Sequence, residues 1–151
     1  MVYSVSGRAV ATTRARRRVP LQDTAIDLGN WQITTDAVRE YLDAAGDGLP
    51  VYLDSGIAPP LMLTARVVGL LLERLSLPDG AIHSLQDVET INPPRIGSVV
   101  AGAARVEPTR ERGGLRFLTV NYSVDDRVSG EALQRGRTTV LLPASTGGRS
   151  D

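Results

Sequence analysis

Residues 46–75 read GDGLPVYLDSGIAPPLMLTARVVGLLLERL, and their reading decides the fold. A Gly/Pro-rich loop carrying Asp47 and Asp54 runs into the Pro59-Pro60 pair, and the prolines open the most apolar helix candidate in the chain. Proline has a preset φ and needs no amide hydrogen bond, so one of the two fits the first helical position. Across residues 61–75 only Thr64, Arg66, Glu73 and Arg74 are strongly polar, which leaves apolar side chains around nearly the whole circumference. Such a helix is expected to be wrapped by protein. At about 1.5 Å per residue it would span about 22 Å, short of a bilayer core of about 30 Å, and charges interrupt it. It reads as a core helix, not a membrane span. Gly69 at its middle costs about 1 kcal/mol relative to alanine, so its expected use is to let a strand or second helix approach closely.

Composition narrows the classes of function. The 151 residues suit one domain with a single core. Seventeen basic residues, all arginine, balance seventeen acidic ones, so nothing global points to nucleic acid or an acidic membrane. The lack of lysine reads mainly as the mark of a GC-rich genome. Without cysteine there is no disulfide framework, thiolate nucleophile or thiolate metal site. His83 is the single histidine, which argues against a histidine-rich metal centre. Neither metal nor cofactor is expected. The N-terminus has arginines but no apolar h-region, so a secretory signal is not supported and the cytoplasm is the default.

Upstream of the helix, residues 1–30 read as a basic N-terminal arm or a first strand. Arg14, Arg16, Arg17 and Arg18 form a cluster that Val19 and Pro20 close. It is either a docking patch for an acidic carrier protein or phosphate-bearing substrate, or a solvated arm or edge strand with protective charges. From Thr34 the pattern is an amphipathic helix. Thr35 can cap it, Asp36 favours its positive end, and Val38, Tyr41, Leu42 and Ala45 fall at i, i+3, i+4 and i+7. Gly46 stops it.

Downstream, Pro78, Asp79 and Gly80 end the central helix in a turn. Strands are then expected over residues 81–91, 98–107, 115–124 and 131–142. Phe117, Val120, Tyr122 and Val124 alternate in part with Thr119, Asn121 and Ser123, as in a half-buried antiparallel strand. Residues 144–151 read as a polar, disordered tail. A short helix, a loop, a long apolar helix and a run of antiparallel strands make an α+β fold, a twisted sheet curled around one helix.

The loop resembles that of the MaoC-like hot-dog-fold hydratases and dehydratases, which act on acyl-CoA or acyl-carrier-protein thioesters. Their loop has the form G-D-x-N-P-[L/I/V]-H-x-D, and residues 46–54 fit its frame. Asp47, Pro50 and Asp54 match, whereas Leu49 stands at the asparagine and Tyr52 at the catalytic histidine. The segment 57–63, IAPPLML, is similar to the I-A-P-P-T-F-L helix start of heterodimeric hydroxyacyl-carrier dehydratases. His83-Ser84-Leu85-Gln86, with Pro93, Pro94 and Gly97, looks like their H-x-x-Q strand and the turn after it. The resemblance covers roughly residues 33–143 and implies a single hot-dog domain over 31–143.

It also implies a chemistry. Removing water from a 3-hydroxyacyl thioester needs a base for the α-proton, an acid for the hydroxyl, and donors on the thioester carbonyl. In the family an aspartate and a histidine move the protons and backbone amides at the helix start polarise the carbonyl. Asp47 and Tyr52 are then the catalytic candidates, and Pro59, Pro60, Leu61, Met62, His83 and Gln86 the substrate-binding ones. A phenol is protonated at neutral pH, so Tyr52 can donate but is a poor base. Asp47 is either the remaining acid/base, desolvated by Leu49 and Val51, or a loop-organising carboxylate. Asp54 is expected to be structural. Arg66 and Arg95 can pair with Asp47 or a phosphopantetheine phosphate, or snorkel to the surface.

Three functions follow. One is a channel-forming subunit of a dehydratase or hydratase in fatty-acid or polyketide-type biosynthesis, whose hot-dog partner supplies the Asp/His dyad. Another is an autonomous homodimer with altered chemistry (cyclase, isomerase or dehydratase) using Asp47 and Tyr52. The third is a non-catalytic acyl-thioester binding protein.

Overall fold

The computed structural model describes residues 24–144. The basic cluster at Arg14–Arg18 and the tail after Ala144 lie outside the described residues. The order of elements is β1 (Thr24–Gln32), α1 (Thr35–Ala45), α2 (Val51–Ser55), α3 (Pro60–Arg74), β2 (Ile82–Thr90), β3 (Val99–Val106), β4 (Arg110–Arg112), β5 (Leu115–Asp126) and β6 (Ala132–Pro143). The strands form one antiparallel sheet in the order β1-β3-β5-β6-β2, with β4 paired to β5. The first strand runs past residue 30, so residues 24–30 belong to the sheet.

Local signals place most of these boundaries. Thr34, not Thr35, caps α1: its Oγ1 accepts the Ala37 amide at 3.1 Å while its own backbone stays extended. A cap needs that extended backbone, and Thr35 is already helical. Gly46 ends α1 in the left-handed region at φ 71°. The stretch expected to be loop folds into α2, closed at each end by Pro50 and a left-handed Gly56. Pro59 and Pro60 open α3 as anticipated.

The core lies between α3 and the concave face of the sheet. Leu63, Val67, Leu70 and Leu71 of α3 are buried with Val100 and Val106 of β3, Leu118, Val120 and Val124 of β5, and Val140 and Leu142 of β6. Val38 and Leu42 close one end from α1. A single sheet can cover only one side of a helix, so burial of α3 is one-sided. Leu61, Ala65, Gly69 and Leu72 face outward, and a Cβ on Gly69 would meet nothing within 4 Å. The close approach expected at Gly69 is made instead at Gly136, where a Cβ would overlap the Tyr122 ring. Only glycine on β6 lets that phenol lie flat across the sheet.

Candidate active site

The loop is held against the start of α3 by the turn before β3. The Ala58 amide donates to the Pro94 carbonyl at 2.8 Å, the Ile96 amide donates to the Gly56 carbonyl at 2.8 Å, and Ile57 bridges Arg95. The two prolines thus enter the helix from a fixed direction. Met62's amide donates to the Pro59 carbonyl at 3.0 Å. Among the described residues the Leu61 amide, in the first turn, has no backbone acceptor.

Asp47 ends the turn after α1. Its Oδ1 accepts the Leu49 amide at 3.0 Å, and its own amide donates to the Leu42 carbonyl at 2.9 Å. Leu49 and Val51, the expected desolvating neighbours, are 64% and 53% exposed in the isolated chain. Tyr52 is half-buried and its ring packs against the core. No hydrogen bond or ion pair among the described residues joins Asp47 to Tyr52, His83, Arg66 or Arg95. Asp54 is exposed and its amide donates to the Pro50 carbonyl within α2.

His83 and Gln86 come together on one face of β2, although a spacing of three puts residues on opposite faces of a regular strand. The register explains it. His83 lies opposite Val140 and Gln86 opposite Thr138, and the register shifts by one between His83 and Leu85. Ser84 is the extra residue of this bulge, its hydroxyl donating to the Thr139 carbonyl at 3.1 Å. Val140 and Thr138 are both buried, so His83 and Gln86 sit on the face towards α3. Gln86 Oε1 accepts the Thr138 hydroxyl at 2.8 Å.

Beside them is an apolar pocket of about 160 Å³, between the C-terminal half of α3 and strands β2, β5 and β6. Val68, Leu71, Leu72, Leu75, Leu77, Ala81, Val120 and Val140 line it, and His83 and Thr138 supply its polar atoms. A second groove of about 250 Å³ lies on the other flank of α3, lined by Trp31, Met62 and Arg66 among others. Pro59 is buried, while Leu61 is exposed beside the loop. The expected binding residues therefore fall in two places, Pro59 to Met62 at the helix start and His83 with Gln86 at the pocket.

One buried polar group went unread in the sequence. Gln134 on β6 is fully buried; its Oε1 accepts the Thr64 hydroxyl at 2.9 Å and the Tyr122 hydroxyl at 3.1 Å. Its Nε2 donates to the Pro60 carbonyl at 3.0 Å. A carboxamide oxygen has two lone pairs, so both hydroxyls are satisfied at once. Burial pushes the Tyr122 phenol above its ordinary value, and the Thr64 hydrogen bond lowers it part of the way back. The only sequence signal was Thr64, a hydroxyl in an otherwise apolar helix.

No family model matches this chain, and no curated protein matches its sequence. Solved structures do match its fold. The R-hydratase PhaJ1 from Pseudomonas aeruginosa aligns with a TM-score of 0.67 at 16% identity, over 81% of each chain. This chain carries the hot-dog fold. A MaoC-like dehydratase from Rhodospirillum rubrum aligns with a TM-score of 0.65 at 19% identity, over 81% of this chain and 92% of that one. A chain of the HadBC (3R-hydroxyacyl-ACP dehydratase) complex from Mycobacterium tuberculosis aligns at 0.63 and 17% identity, over 82% of this chain and 98% of that one. In the hot-dog framework α3 is the central helix and the 46–55 segment its preceding loop. Among the described residues, no helix is long and apolar enough to cross a membrane.

Proposed function

We propose that this chain is a subunit of an acyl-thioester dehydratase or hydratase, working with a second hot-dog chain that supplies the Asp/His dyad. The observation that carries this reading is the apolar pocket of about 160 Å³ beneath α3, room for the far end of an acyl tail, on a chain whose loop has Tyr52 at the histidine position. A dry cavity of about 150 Å³ accepts a six-carbon hydrocarbon, which sets the scale.

In this reading the Leu61 amide at the positive end of α3 polarises the thioester carbonyl. Tyr52 can donate a hydrogen bond, and the far end of the acyl tail, about 15 Å further along α3, lies against Leu71, Ala81 and Val140. Asp47 holds the loop through the Leu49 amide, a role that leaves proton transfer to the partner. The substrate is an acyl-CoA or acyl-carrier-protein thioester of a cytoplasmic fatty-acid or polyketide-type pathway.

Hydration of crotonyl and longer enoyl thioesters tests this. The chain alone is expected to be inactive and to gain activity when mixed with a hot-dog chain carrying the full loop. Full turnover by the chain alone overturns the subunit reading and favours an autonomous enzyme. Binding without turnover in every mixture leaves an acyl-thioester binding protein.

A further inference from the structure

The free edge of the sheet is β2, which pairs with β6 on one side and, among the described residues, with nothing on the other. An exposed edge of nine residues is a template for another strand. Apolar side chains flank it, with Ile82 60% and Leu85 52% exposed, so the surface is not one built only for water. From Leu85 to Thr90 the strand is regular, and its convex face presents Leu85, Asp87 and Glu89.

Those two carboxylates are exposed and have no counter-ion among the described residues. Their neighbours across the ladder are Arg137, opposite Asp87, and Arg135, opposite Glu89. Both arginines turn the other way. Arg135 Nη1 lies 2.8 Å from Asp125 Oδ1, and Arg137 Nη2 lies 3.8 Å from Glu107 Oε2. Neither Asp87 nor Glu89 has an ion pair or side-chain hydrogen bond among the described residues. The cations of this face are spent towards β5, and the edge itself is left acidic.

That charge is unfavourable for a second copy. A two-fold antiparallel pair centred on Asp87 sets that carboxylate against its own copy, and one centred on Val88 sets Asp87 against Glu89. Centring on Gln86 leaves the two Asp87 side chains diagonal, about 7–8 Å apart. Like charges opposite each other destabilise a ladder, whereas opposite charges support it. We propose that the β2 edge selects a different hot-dog chain whose facing strand presents arginine or lysine, and rejects a second copy of itself. This rests on the subunit reading and names the chemistry of the partner.

The test needs no natural partner. Full-length wild type and the charge-swapped variant D87R/E89R are run separately and mixed, with self- and mixed association measured by sedimentation velocity at low and high salt. The mixture is expected to associate roughly tenfold more tightly than either protein alone, and salt is expected to shrink that difference. The neutral variant D87N/E89Q is expected to self-associate more tightly than wild type. All four substitutions fall on two exposed side chains, Asp87 and Glu89, and circular dichroism checks that the fold is kept. A mixture no tighter than its components, or a wild-type dimer as tight as that of D87N/E89Q, overturns the proposal. A negative hydration assay leaves these readouts untouched, so failure of the enzymatic reading is seen separately.

Discussion

Gln134 Nε2 lies 3.0 Å from the Pro60 carbonyl oxygen, so the first turn of α3 is tied to β6 by a side chain 74 residues away in sequence. The same carboxamide accepts from Thr64 and Tyr122. Gln134→Leu keeps the volume and removes all three bonds, leaving buried polar atoms without their partner. It is expected to cost about 3 kcal/mol in urea unfolding. In a Tyr122→Phe background the cost is expected to be smaller, because one of the stranded hydroxyls is gone. An additive double-mutant cycle would show that the three groups do not act as a unit.

Tyr122 also fixes a pH dependence. Its folded-state value is raised above 10.0 by burial. Below pH 10.0 both folded and unfolded chains hold the proton, and the stabilisation is intact. As pH rises further the unfolded chain releases its proton first, so stability falls towards the folded-state value. Tyr122→Phe is expected to lose this part of the alkaline slope in urea midpoints measured against pH.

Asp126 has the opposite sign. The Ser129 and Val128 amides, both bonded to its Oδ1, hold its carboxyl below the usual range. The stabilisation is present above the ordinary aspartate value of 3.8 and is lost as pH falls through the folded one. Asp126→Ala is expected to flatten the acid limb of the stability profile and lower Tm at neutral pH.

Asp47→Asn separates the two roles of that residue. Asparagine keeps an Oδ1 to accept the Leu49 amide, so Tm is expected to be unchanged, while Asp47→Ala lowers it. In the subunit reading, activity of the mixed enzyme survives Asp47→Asn. A loss of turnover with unchanged Tm would assign the proton transfer to Asp47 itself.

Ala81→Phe tests the pocket from its rim, one residue before β2, without altering the sheet register. The pocket lies about 15 Å along α3 from the Leu61 amide, so hydration of enoyl thioesters of about twelve carbons and longer by the mixed enzyme is expected to fall by about tenfold in kcat/KM, with crotonyl thioester unaffected. Equal loss on all chain lengths would place the acyl tail elsewhere.

Much of the fold was legible in the chain itself, because the deciding signals are local. Pro59 and Pro60 fix where α3 starts, Gly46 fixes where α1 stops, and alternation along β5 sets its buried face. The loop frame from Gly46 to Asp54 and the replacement at Tyr52 are likewise properties of adjacent residues. Composition alone set aside thiolate and histidine-cluster chemistry.

Only tertiary structure decided the rest, since its physical causes join residues far apart in sequence. The bulge at Ser84 turns His83 and Gln86 to one face only through the register with β6. Gln134 becomes buried and hydrogen-bonded to α3 only when β6 lies under that helix. Among the described residues Asp87 and Glu89 are left without counter-ions because Arg137 and Arg135 find Glu107 and Asp125 on the far side. Short-range pattern specifies the elements; side-chain partners across the sheet are set by a register that no single stretch contains.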